Sequence, residues 1–135
     1  MTKNIPSNVQ SLLEYLRMSN LVGISLEPSY HSLTLEFTYG PQGYDVIIRL
    51  FGVVHFVFSK DFEDIDEDVF TACEVNLTPI QDGGKELFYS LNYLFKRHDK
   101  EPISYPDESL YRLQIIGSVS MEVICSSYQV FQQVK

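Results

Sequence analysis

Residues 44–59 read Tyr44-Asp45-Val46-Ile47-Ile48-Arg49-Leu50-Phe51-Gly52-Val53-Val54-His55-Phe56-Val57-Phe58-Ser59. Even positions carry Tyr44, Val46, Ile48, Leu50, Val54, Phe56 and Phe58, while Asp45, Arg49, His55 and Ser59 stand at odd ones. Successive side chains of a strand point to opposite faces, so this alternation specifies a strand with one buried face. The alternation passes through Gly52 without changing parity. A two-residue hairpin there would pair positions of opposite parity and mix the faces. The stretch therefore predicts one bent strand, or two strands meeting at a glycine bulge.

The same pattern recurs at 111–125. Tyr111, Leu113, Ile115, Val119, Met121, Val123 and Cys125 hold the odd positions, with Gly117 in mid-run. Leu50 to Phe56 and Ile115 to Met121 share an apolar-apolar-Gly-x-Val-polar-apolar order. This is either a weak internal repeat or the common composition of long strands. A straight strand of fifteen residues would reach about 50 Å at ~3.3 Å per residue, too long for a domain of this size. The prediction is two long strands kinked at Gly52 and Gly117 in a strongly curved sheet.

Outward from these strands, Val9, Leu12, Leu13 and Leu16 make one face of a helix. Ser7 is expected to cap it and Asn20 and Gly23 to end it. Leu33, Leu35 and Phe37 alternate with Thr34, Glu36 and Thr38, and Gly40-Pro41-Gln42-Gly43 reads as a turn. Val69, Thr71, Cys73, Val75 and Leu77 suggest another strand. Residues 85–95 fit a helix capped by Asp82, with a hairpin around Asp82-Gly83 as the rival, and 97–109 is a polar loop. The predicted fold is a single α+β domain over residues 1–135. It has a strongly bent, mainly antiparallel sheet with the N-terminal helix, and a second helix over 85–95, on one face.

The chain has 135 residues, enough for one core without disulfide staples. Eighteen acids oppose ten bases, giving a net charge of -8. Six of those acids lie in residues 61–68, Asp-Phe-Glu-Asp-Ile-Asp-Glu-Asp, so the rest of the chain carries only -2. Phosphate backbones need clustered bases, and these are scattered, so neither nucleic acid nor an anionic membrane is an expected partner. Met1 to Pro6 lacks an apolar signal region, and the most apolar run is too short to span a bilayer as a helix. Two cysteines, Cys73 and Cys125, are too few for a disulfide scaffold and read as buried thiols, with one disulfide between them as the alternative, since sequence does not fix their distance. The expected compartment is the cytoplasm.

No catalytic motif survives a spacing check, and no cofactor is expected. Asp64, Asp66 and Asp68 match the first ligands of an EF-hand loop. Val69 then replaces the required glycine and Val75 the bidentate acid. His31, His55 and His98 lie outside chelating spacing of one another or of a cysteine. A Cys–His dyad, or acid–base pairing among Glu36, Glu74 and Glu122, would have to be assembled by folding. His55 is expected on the surface or in a groove. Nine Tyr and nine Phe serve sheet packing or an interface equally well.

Two segments carry a family likeness: 50–61 and Leu110-Tyr111-Arg112-Leu113-Gln114-Ile115-Ile116-Gly117, continued by Met121-Glu122-Val123-Ile124-Cys125. Through them the chain resembles small, acidic α+β bacterial proteins of uncharacterised or immunity type. The resemblance implies neutralisation of a toxin by binding.

Residues and resemblance together predict a non-catalytic protein-binding module that occludes a basic partner, a toxin or nuclease. Asp61, Phe62, Glu63, Asp64, Asp66, Glu67 and Asp68 are the expected partner-binding residues: the acids steer association and Phe62 anchors it. One alternative is a small-molecule binder or enzyme whose concave sheet face is lined by His55, Arg49, Arg112 and Glu122. Another is a homo-oligomer pairing through sheet edges.

Overall fold

The computed structural model describes residues 5–40, 43–60, 70–80 and 110–133. The N-terminal amphipathic segment forms a helix, α1, over Ser7–Tyr15. Pro6 occupies the capping position and no side chain caps the first turn, so Ser7 is the first helical residue and not the cap. The helix ends five residues before Asn20. Met18 adopts a left-handed conformation (φ 64°), and its N–H donates to the Ala72 carbonyl at 2.7 Å. That bond turns the chain directly into a strand.

Eight strands follow among the described residues: β1 (Ser19–Glu27), β2 (Ser32–Thr38), β3 (Asp45–Phe51), β4 (His55–Lys60), β5 (Phe70–Ile80), β6 (Leu110–Gly117), β7 (Val119–Cys125) and β8 (Ser127–Gln133). They form one sheet in the order β4-β7-β6-β5-β1-β2-β3-β8, antiparallel throughout. This corrects the fold class. The chain is an antiparallel sheet protein with one short α-helix among the described residues, and not an α+β domain. The reason is periodicity: beyond Leu16, every described apolar run has period two and finds a strand partner. The helix expected over 85–95, its hairpin rival and the loop at 97–109 lie outside the described residues.

The sheet turns a corner where two pairs of consecutive strands change partners. The β3–β8 ladder ends at Phe51↔Ser127 and the β4–β7 ladder begins at His55↔Ile124. Three residues, 52–54, here face two, 125–126, which is the count of a bulge. Backbone bonds bridge the step: Val54 N–H donates to Ile124 (2.9 Å) and Ser126 N–H to Phe51 (3.0 Å). β3 with β4, and β7 with β8, are thus two bent ribbons paired along their whole length. The first half of the sheet is β1-β2-β3-β8 and the second is β4-β7-β6-β5, each meander completed by a strand from the other. A narrow seam, Ser19↔Ala72 to Leu21↔Phe70, joins β1 to β5 and so links the two halves. Strands that switch sheets through bends are the corner device of orthogonal β packing.

Gly52 makes its corner with φ +62°. Gly117 does not kink a long strand. It opens a three-residue turn between β6 and β7, with Ile116 opposite Ser120. An odd-numbered turn pairs positions of like parity, such as Leu113↔Val123 and Ile115↔Met121, so the alternation survives the hairpin.

Leu33, Leu35, Phe37, Val46, Ile48, Leu50, Leu113 and Val123 are fully buried on the inward face. Val9 and Leu13 of α1, with Leu16 at its C-cap, join the same cluster, and α1 packs against β5 and β8. The carbonyls at the end of α1 find a donor in Tyr39, whose hydroxyl donates to Tyr15 and Arg17. Tyr15 returns the contact: its ring packs edge-on to Tyr39 at 4.8 Å, and its hydroxyl accepts the Tyr44 N–H at 2.9 Å. Burial, and then neighbouring Tyr15, raise the Tyr39 phenol above its ordinary range, so it remains a donor. Tyr39→Phe is expected to cost about 1 kcal/mol, the net worth of a hydrogen bond to helix-end carbonyls. Urea unfolding checks this, and an unchanged midpoint would mean that water replaces the phenol.

Candidate functional site

Alternation on three adjacent strands places polar side chains together on the outer face. His55 on β4, Ile124 on β7 and Arg112 on β6 form one cross-strand row. Glu122 lies one row away, opposite Val57 and Gln114. Its carboxylate reaches diagonally to both sides, within the range of long side chains. Glu122 Oε1 lies 3.2 Å from His55 Nε2, and Oε2 accepts from Arg112 Nε at 3.0 Å and from the guanidinium NH2. Each carboxylate oxygen has its own cationic or polar partner, so Glu122 orients both neighbours.

A carboxylate that orients a histidine is half of a general-base arrangement. Burial limits its use here. The His55 side chain is 3% exposed, Glu122 18% and Arg112 32%. His55 belongs to the polar alternation, expected on the surface or in a groove, and it is buried with Ile124 and Leu110 on the outer face. Alternation assigns a face but cannot say whether that face is covered, which is why the burial was not readable.

The structure brings together three of the four side chains named for a ligand face. The fourth, Arg49, projects from β3 and lies over the Phe131 ring, 5.3 Å from its centroid. The carboxylates Glu36, Glu74 and Glu122 are not brought together: they stand on β2, β5 and β7, no two of which are adjacent. Cys125 is a free, buried thiol on the inner face, opposite Tyr111, while His55 faces outward. Burial pushes this thiol up to about 12, against a smaller lowering by a Ser127 backbone bond. It holds its proton at neutral pH and is no nucleophile.

No cluster of three or more His, Cys, Asp or Glu able to hold a metal occurs among the described residues. Phe70 to Val75, which would fill positions seven to twelve of the EF-hand match, are part of strand β5. Asp61, Phe62, Glu63, Asp64, Asp66, Glu67 and Asp68 lie outside the described residues, as does His98. What is described is where the segment is anchored. It follows Lys60 at the end of β4, and the chain rejoins the sheet at Phe70, paired with Leu21.

Beyond Leu21, β1 displays a feature that periodicity alone did not reveal. Val22, Ile24 and Leu26 are 58%, 38% and 49% exposed. Ile24 pairs with Leu35 and Leu26 with Leu33, both fully buried, so these two continue the core face into solvent. The signal was present as alternation over 22–26, but the bulge between Leu21 and Gly23 breaks its phase with the preceding residues. An open groove of about 260 Å³ also lies between α1 and β5, lined by Leu13, Glu14, Arg17, Glu74, Val75 and Asn76.

No protein-family model matches the chain, and no curated protein sequence matches it. It is similar in fold to a crystal structure of an uncharacterized protein from Neisseria gonorrhoeae, at 16% sequence identity and a TM-score of 0.54, with 96% of each chain covered. At that identity the likeness is one of fold alone. No helix among the described residues is long and apolar enough to cross a membrane.

Proposed function

We propose that this chain is a non-catalytic, cytoplasmic protein-binding module of the immunity type, which occludes a cationic protein such as a toxin or nuclease. The observation that carries the reading is the exposed apolar row Val22, Ile24 and Leu26, beside the point where the acidic segment rejoins the sheet. Apolar anchors beside steering charges are the composition of a protein interface. The free thiol of Cys125 fits a reducing compartment.

In this mechanism Asp61, Glu63, Asp64, Asp66, Glu67 and Asp68 draw the partner in, Phe62 anchors it, and the β1 row holds it. A cationic partner captured on the immobilised protein provides the test. Changing Asp64, Asp66, Glu67 and Asp68 to their amides should slow association by roughly ten- to a hundredfold at low salt and flatten its salt dependence. Changing Val22, Ile24 and Leu26 to serine should mainly speed dissociation. Salt-independent, unchanged on-rates in the amide variant would remove the electrostatic part.

A second reading rests on the convergence of His55, Glu122 and Arg112. It takes this cluster as the polar wall of a small-molecule or catalytic site. It requires a state in which His55 is uncovered, and ligand-induced exchange of the β4 and β7 amides would reveal one.

A further inference from the structure

We draw no further inference here: the strongest candidate, the open groove between α1 and β5, is walled by the exposed residues Glu14, Arg17 and Glu74, of both charges, and nothing in the structure shows what would occupy it.

Discussion

Gly52→Ala should lower stability by about 3 kcal/mol, combining left-handed strain of roughly 1–2 kcal/mol with overpacking. Gly52 has φ +62°, and a Cβ built on it would lie 2.1 Å from Ser126 Oγ and 3.1 Å from Ser126 Cβ. Rotating the serine hydroxyl away does not solve the problem. Ser126 Oγ donates to the Phe51 carbonyl at 3.2 Å, and its N–H donates to the same carbonyl at 3.0 Å. These two residues are the corner where both bent ribbons change partners, so displacement of either disturbs both ladders. Adding Ser126→Gly should recover the overpacking share and leave the backbone strain. Urea unfolding of the single and double variants measures both. A loss below about 0.5 kcal/mol, the range of ordinary surface substitutions, would mean that the corner is not under the stated constraint.

The second large effect is expected at Glu122. Its carboxylate serves buried His55 with one oxygen and Arg112 with the other. Breaking a fully buried pair costs roughly 3–5 kcal/mol, because the surviving charge is left without a partner. Arg112 is about a third exposed and water can serve it, so the expectation for Glu122→Ala is nearer 2–3 kcal/mol. Glu122→Gln keeps the shape and an acceptor for Arg112, and should cost less. Thermal and urea unfolding of the two variants decide the matter. Equal, negligible losses would show that the cluster is not a structural clasp and would favour the reading in which it meets a ligand.

Much of the sheet was legible because burial on one face leaves a period of two. Leu33, Leu35 and Phe37, and Val46, Ile48, Leu50 and Phe56, face the core as their alternation requires, whereas at the corner Val53 and not Val54 packs against it and Phe58 is exposed. The alternation could not separate a bend from a hairpin. Gly52 and Gly117 look alike in sequence, yet one bends a ribbon and the other opens a turn, since both preserve parity. Strand β1 was hidden behind its bulge, and so was its exposed apolar row. The meeting of His55, Glu122 and Arg112 spans 67 positions in sequence and depends on register between β4, β7 and β6, which no local pattern encodes. The acidic segment was legible as composition, and its neighbourhood emerged only from the pairing of Phe70 with Leu21.

The central claim is that this chain acts through the exposed apolar row of β1 and the adjoining acidic segment, and not through the buried histidine cluster. Hydrogen exchange of the protein with and without its captured cationic partner tests that most directly. The account predicts new protection at residues 22–27 and 61–68, with His55, Arg112 and Glu122 and their strands unchanged. Protection confined to β4, β6 and β7, with 22–27 and 61–68 unaffected, would contradict it.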